Sequence, residues 1–273
     1  MLEEAFADQM KELISMCGKK RQTMLFSATM TEEIEDLIKM SLDKPVKLFI
    51  NENTKTATNL SQEFIRIREG QEDNREAIVS ALVTRNFINH TIIFVPTKKE
   101  CRRLNVILGL LGVKAGQLHG NMNQTQRVMA LNEFKNEKID VLVSTDLASR
   151  GLDIEGVTTV INFMMPKDVK IYVHRVGRTA RAGKGGRSIS LVGEDERKIL
   201  KAIIKSNQDG SLKQRNVSNV VVEAYKKRID SLENSIKRID EMEQAEKEIA
   251  EASKKVQESE KKMAEDGASG YDD

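Results

Sequence analysis

The sequence predicts an open α/β sheet of parallel strands with helices packed between them. Three observations carry this expectation. From residue 23 to about 205, short runs rich in β-branched residues alternate with stretches of helical period. The 273 residues suffice for one or two domains with a sizeable core. Several of the apolar runs lead directly into polar or glycine-bearing sequences, and such sheets collect ligands at the carboxyl ends of their strands.

The strand runs are 23–27, 46–50, 62–67, 91–95, 115–118, 139–144, 157–163 and 187–192. Between them, KKECRRLNVILGLLG places Leu104, Ile107, Leu108 and Leu111 on one helical face and ends at Gly112, a C-cap. NQTQRVMALNEFKNEK begins at Asn123, an N-cap, and turns Val128, Leu131 and Phe134 inward. EDERKILKAIIKS carries acids in its first turn and lysine in its last, which suits the helix dipole. A further helix is expected over 31–41, with Thr31 and Glu33 as its start signals.

Residues 51–61 (NENTKTATNLS) are polar and unpatterned, as an inter-domain linker is. Residues 1–210 carry a net charge of +5 and residues 211–273 a net of −3. The second segment holds Val222, Tyr225, Ile229, Leu232, Ile236 and Ile239 at 3–4 spacing, then shifts phase to Met242, Ala245, Ile249, Ala252, Val256 and Met263. That pattern fits an amphipathic helix, and one stripe packed on the domain is favoured over coiled-coil assembly. The end, EDGASGYDD, is expected to be disordered.

Composition narrows the function classes. No run reaches the ~18 apolar residues that span a bilayer, so no membrane role is expected. The acidic start MLEEAFADQM lacks a secretory pattern. Cys17 and Cys101 lie far apart without metal-ligand spacing, so neither a zinc site nor a disulfide framework is expected. The small positive excess of the globular part permits nucleic-acid binding without establishing it.

Five clusters carry chemistry. In TMLFSAT, Ser27 and Thr29 follow an apolar run and suit either a hydrogen-bond network or a helix cap. In IIFVPTKKE, Thr97 opens a helix after Pro96, where a hydroxyl and backbone amides suit a phosphate or serve as a plain N-cap. In QLHGNMNQTQR, Gly120 permits close backbone approach, and Arg127 is either a phosphate contact or a surface arginine. VLVSTDLASRGLDI sets Thr145, Asp146, Arg150, Gly151 and Asp153 at one strand end, which packing does not explain. There a carboxylate could hold a ribose and a hydroxyl a phosphate. In YVHRVGRTARAGKGGRS, Arg175, Arg178 and Arg181 recur at three-residue spacing, and clustered guanidinium groups suit an anion. His174 has no second ligand nearby, so no metal site is expected. No GxxxxGK[ST] phosphate loop is present; the stretch from Gly177 to Gly183 and Lys184 has the wrong spacing, and Gly185 stands where the hydroxyl belongs.

In this order, SAT (27–29), IIFVPT (92–97), LHGNMNQTQR (118–127), VSTDLASRGLD (143–153) and HRVGRTARAG (174–183) resemble the successive motifs in the C-terminal half of the DEAD-box ATP-dependent RNA helicases. RQTMLFSATMTEEIEDL, QEFIRIREGQEDNREAIVSAL and LVGEDERKILKAI further resemble the nucleolar branch of that family, its twenty-seven type. The resemblance implies a RecA-like parallel sheet with flanking helices over 62–206. Before it would stand a remnant of a first RecA-like domain (1–50) and a linker (51–61), and after it a charged helical tail (207–273).

It further implies that Arg178 and Arg181 are arginine fingers at the γ-phosphate of ATP, and that Gly151 and Asp153 lie at the nucleotide. Thr97, Gly120, Arg127 and Thr145 would hold the RNA backbone without reading sequence, while Ser27, Thr29, Asp146, His174 and Arg175 would couple the two sites. Ala180 stands where many relatives have glycine, with little effect expected. ATP and Mg2+ are implied for the full-length family member, with neither expected to bind tightly to this chain alone. Such a chain is expected neither to hydrolyse ATP nor to unwind RNA by itself. Pre-ribosomal particles, a coiled-coil partner for the tail and a nuclear, nucleolar location are implied alongside a role in rRNA processing. The alternative is a non-catalytic RNA-binding or adaptor module.

Overall fold

The computed structural model describes residues 7–18, 20–26, 38–39, 41–48, 59–149, 154, 156–180, 184–206 and 212–268. The chain divides into two units, Met1–Lys55 and Thr56–Asp273.

In the first unit a ten-residue helix, α1, spans Ala7–Met16. Residues 38, 39 and 41 are helical, whereas 31–37 lie outside the described residues. Two expected strands are corrected here: 23–26 and 46–48 are irregular. Met24, Phe26, Val46 and Leu48 are each more than two-thirds exposed. A β-rich run becomes a strand only where neighbouring strands take up its backbone groups, and these runs meet none among the described residues.

The second unit is built on seven strands. In chain order its elements are β1 (Leu60–Arg66), α2 (Asn74–Arg85), β2 (Thr91–Val95), α3 (Lys98–Leu110), β3 (Ala115–Leu118) and α4 (Gln124–Lys135). There follow β4 (Val141–Thr145), the single turn α5 (Asp146–Ser149), β5 (Thr159–Asn162), α6 (Val169–Val176) and β6 (Gly186–Val192). The unit ends with α7 (Arg197–Ser206), β7 (Leu212–Gln214) and the long α8 (Asn219–Ala268). The strands lie in the order β3-β4-β2-β5-β6-β1-β7 and every pairing is parallel. The expected strands from 62 to 192 all form, with β1 starting two residues earlier at the end of the proposed linker. β7 escaped prediction because three residues, one of them half-buried and two exposed, leave no pattern.

Period two sorts the strands between two faces. Ile65, Ile93, Val95, Val143, Ile161 and Leu191 join one apolar cluster with residues of α2 and α3. Phe94, Leu118, Leu142 and Val160 face the other way with Phe134 of α4, as do Leu60, Phe64 and Val192 with Tyr172 of α6 and Ile203 of α7. Helices on both faces bury the parallel sheet fully.

Local signals start the helices as the sequence suggests. Thr97 caps α3 and Asn123 caps α4, each in a reciprocal capping box with Glu100 and Gln126 respectively. Gly112, just past α3, has φ +84°, a conformation open to glycine at no steric cost. Val128, expected to face inward, is instead 44% exposed, because Ala130 and Phe134 set the inward face of α4.

The tail is not a separate appendage. Val222, Ile229 and Ile236, seven residues apart on α8, are buried at 6%, 5% and 1% exposure within the first core cluster. Tyr225, Leu232 and Ile239 pack against the same cluster. Burial of this kind is worth about 1.5–3 kcal/mol per large side chain. Beyond Ile239 the phase shift carries the apolar positions off the domain, leaving Met242 and Ile249 57% and 66% exposed. The helix runs to Ala268, into the segment expected to be disordered.

Candidate nucleic-acid interface

The carboxyl ends of β2, β3 and β4 lie side by side, since Val95 registers with Thr145 and Leu118 with Ser144. The segments that follow therefore share one edge. Thr97, two residues past β2, is exposed; its Oγ1 donates to Glu100 Oε2 (2.7 Å) and accepts from the Glu100 amide (3.2 Å). Gly120, two residues past β3, is exposed, and no protein atom lies within 4 Å of where its Cβ would be. The expected backbone approach to Gly120 is absent from the described residues, and the space over it is open.

Arg127, near the start of α4, folds back so that Nη2 donates to the Gly120 carbonyl (3.2 Å). Its Nε is buried without a hydrogen-bond partner. Its Nη groups are the part of the guanidinium that can pair with an oxyanion. Lys98, the first residue of α3, reaches across β4 to Asn121 Oδ1 (3.4 Å) and ties the loops after β2 and β3 together. Thr145 closes the arc, 91% buried as the last residue of β4.

A second set sits where the connections diverge, β2 leading toward β3 and β5 toward β6, the position at which parallel sheets form a crevice. Arg175 of α6 fills it. Its Nε and Nη2 donate to Asp146 Oδ1 and Oδ2 (2.7 and 2.8 Å), and Nη1 donates to Asn162 Oδ1 (3.1 Å) and the Met164 carbonyl (2.8 Å). The guanidinium carbon lies 5.2 Å from the centroid of the Phe94 ring. One side chain thus joins β2, α5, β5 and α6.

Beneath α6 the sheet carries buried polar residues. Asn162 Nδ2 donates to Ser190 Oγ (2.9 Å), and Tyr172 Oη donates to Gln62 Oε1 (2.8 Å). Burial pushes the Tyr172 hydroxyl up to about 12, so it serves only as a hydrogen-bonding group. Their local signals are Asn162 closing an apolar strand and the serines alternating in GRSISLV, none of them among the expected site residues.

His174 is exposed on α6 and Arg178 half-buried on the turn that follows. That turn is held by Thr179, whose Oγ1 donates to the Val157 carbonyl (2.7 Å). It passes so close over Gly186 that a Cβ there would lie 2.5 Å from the Ala180 nitrogen. Gly177 is packed alike, its absent Cβ 2.9 Å from the Val173 carbonyl. Ala180 adopts φ +56°. An L-residue there costs about 1–2 kcal/mol that glycine does not.

Ser27, Thr29, Gly151, Asp153 and Arg181 lie outside the described residues, as do Arg150 and Gly183. Among the described residues no group of three His, Cys, Asp or Glu could hold a metal ion. Cys101 is buried and its thiol is pushed up to about 11, which leaves it inert.

A second buried arginine braces the same region. Arg75 of α2 donates to the Phe163 carbonyl (2.6 Å), Glu196 Oε2 (2.7 Å) and Glu72 Oε2 (2.6 Å). Glu196 Oε1 in turn accepts from the Met165 amide (2.7 Å). The loop after β5 is thereby clamped between Arg75 and Arg175. Beside it lies an open crevice of about 690 Å³ with seven carboxylates and three basic side chains in its lining. This polarity repels a phosphate backbone, in contrast to the basic arc around Arg127 and Lys98.

A family model described as "Helicase conserved C-terminal domain" matches residues 73–183. "Probable ATP-dependent RNA helicase DDX27" of Homo sapiens is 52% identical over 267 residues, 98% of this chain and 35% of the relative. The chain thus spans about a third of the length of the curated relatives it matches. Among solved structures, S. cerevisiae Dbp5 bound to RNA and ADP BeF3 is 27% identical with a TM-score of 0.70, covering 82% of this chain and 59% of that one. The E. coli DEAD-box protein SrmB bound to regulator of ribonuclease activity A is 32% identical with a TM-score of 0.53, covering 58% of this chain and 91% of that one. With its parallel sheet, its ordered motifs and these likenesses, the chain belongs to the DEAD-box RNA helicases and carries their RecA-like C-terminal domain.

Proposed function

We propose that this chain is the RNA-gripping, ATP-responsive half of an ATP-dependent RNA helicase. The observation that carries the reading is the convergence of Thr97, Gly120, Arg127 and Thr145 on the carboxyl ends of three adjacent strands. Hydroxyls, an open glycine and a guanidinium suit phosphate oxygens and carry no base code, so binding is independent of sequence.

Arg178, on the turn after α6, and Arg181 act as arginine fingers on ATP held by a first RecA-like domain. Gly151 and Asp153 meet the nucleotide. Mg2+ neutralises phosphate charge in the complete helicase. Ser27, Thr29, Asp146, His174 and Arg175 link RNA and nucleotide occupancy. The Arg175–Asp146 pair supports this role, since it joins the end of the RNA-facing strand β4 to the helix that leads to Arg178. The substrates are RNAs of pre-ribosomal particles in the nucleolus, and the role is in rRNA processing.

The test is complementation. The 273-residue chain alone is expected to release no phosphate from ATP, and addition of a polypeptide bearing the phosphate loop and DEAD carboxylates restores RNA-stimulated release. Arg178→Ala abolishes the restored activity. Release from the pure chain, lost on Arg178→Ala, overturns the division of labour. Full activity of the mixture with Arg178→Ala overturns the arginine-finger role.

A further inference from the structure

We propose that the first half of α8 is a strut that sets the RNA-facing end of α3, with Arg103 as the positioning residue. The inference rests on the RNA reading above and extends it beyond residues 73–183 matched by the family model.

Arg103 is in the second turn of α3, the helix that Thr97 caps and whose first residue, Lys98, holds the loop after β3. Its guanidinium is committed on both sides. Toward α2, Nε and Nη2 donate to Glu76 Oε1 and Oε2 (2.7 and 3.1 Å). Toward α8, Nη1 and Nη2 donate to Glu233 Oε1 and Oε2 (3.1 and 3.0 Å). Arg102 repeats the tie one residue earlier, with Nη2 donating to Glu243 Oε2 (2.5 Å). Paired carboxylates hold the Arg103 guanidinium firmly charged, and Arg103 holds the Glu233 carboxyl below its ordinary range.

The apolar stripe ending at Ile239 fixes the strut's seat, and the phase shift frees the helix soon after Glu243, the last residue seen to engage α3. With its donors engaged by protein carboxylates, Arg103 is unsuited to touch RNA. What it transmits is the angle and height of α3, and with them the Thr97 hydroxyl and the Lys98 ammonium. Position of this kind matters because a shift of about 1 Å spoils a set of convergent hydrogen bonds. A ligand or modification that lifts the helix from Arg103 would therefore weaken RNA binding from a distance.

The experiment uses the full 273-residue chain as wild type, Arg103→Gln, Glu233→Gln and, as control, Arg127→Ala. A fluorescent single-stranded RNA of mixed sequence is titrated over a range of salt, and amide exchange is followed over Cys101 to Leu104. The strut account expects both Arg103→Gln and Glu233→Gln to weaken binding about tenfold, the scale of coupling by residues that touch no ligand. The salt slope stays close to that of the wild type because the basic side chains of the RNA face are shifted rather than removed, and exchange at the start of α3 rises. Arg127→Ala instead flattens the slope by about one.

Unchanged affinity and exchange in both strut variants overturn the proposal. So does a flattened slope in Arg103→Gln with wild-type binding by Glu233→Gln, which would make Arg103 an RNA contact. If Arg127→Ala binds as the wild type does, the assignment of the RNA face fails, and exchange at α3 alone then decides the strut. Glu233, partly exposed, keeps the test readable should Arg103→Gln fail to fold.

Discussion

Arg175 grips Asp146 with both prongs of its guanidinium, Nε to Oδ1 at 2.7 Å and Nη2 to Oδ2 at 2.8 Å, while its remaining bonds hold the end of β5. The pair ties the last turn of α6 to the residue that follows Thr145, so the nucleotide-facing and RNA-facing candidates share one rigid joint. Replacing Arg175 by methionine removes its two bonds to the Asp146 carboxylate and its bonds to the Asn162 and Met164 oxygens. Breaking a largely buried pair costs about 3 kcal/mol, read as a fall in urea midpoint. Arg175→Lys is expected to recover little, since an ammonium cannot span two carboxylate oxygens and stack on Phe94. A midpoint for Arg175→Lys within error of the wild type would contradict this.

Ala180→Gly is expected to stabilise. The residue stands at φ +56°, directly after Thr179. Relief of about 1–2 kcal/mol of steric cost outweighs the extra freedom glycine gives the unfolded chain, about 0.5–1 kcal/mol. Thermal unfolding should shift upward by a few degrees. A downward shift would show that the methyl group's packing dominates.

Acid should weaken the tie between α8 and α3 at Glu233. Arg103 lowers the carboxyl of Glu233 in the folded state, so the unfolded chain takes up that proton first. The contribution is therefore present above the ordinary carboxylate value, about 4.3, and is lost as pH falls through the lower, folded one. With 36% of the Glu233 side chain exposed, its size is about 0.5 kcal/mol. Glu233→Gln should flatten the acid limb of the stability profile by that amount and leave neutral pH differing only by the lost tie. An unchanged acid limb would remove Glu233 from the account.

The two halves of α8 should answer differently to the same change. Ile236→Ala opens a cavity at a site of 1% exposure and is expected to cost about 3 kcal/mol. Ile249→Ala, at 66% exposure, should stay within about 0.5 kcal/mol. Equal costs would mean that the outer helix is also buried, as in a coiled-coil assembly.

The parallel sheet was legible because each strand from β1 to β6 announces itself as a short β-rich run and each helix by period and cap. Asn123 and Thr97 were readable as caps since the capping signal is local. Two kinds of feature were not. The runs at 23–26 and 46–48 look like strands in isolation, yet pairing depends on neighbours that no local window contains. The buried arginines were legible only in part: Arg175 belongs to an arginine cluster, whereas nothing local distinguishes Arg75, in the first turn of α2, from a surface arginine. Its partners Glu196 and Phe163 lie 121 and 88 residues away. The docking of α8 shows the reverse case, in which heptad spacing marked the buried face while the surface that covers it was invisible.

The most direct test of the proposed RNA-binding edge is amide chemical-shift perturbation of the 15N-labelled chain on titration with single-stranded RNA of mixed sequence. The account predicts shifts concentrated at Thr97–Glu100, His119–Arg127 and Thr145–Asp146, alike for RNAs of different sequence. The acidic crevice near Asp73, Asp195 and Asp230 should stay silent. Shifts centred on that crevice, or on the exposed half of α8, with the strand-end arc unmoved, would contradict it.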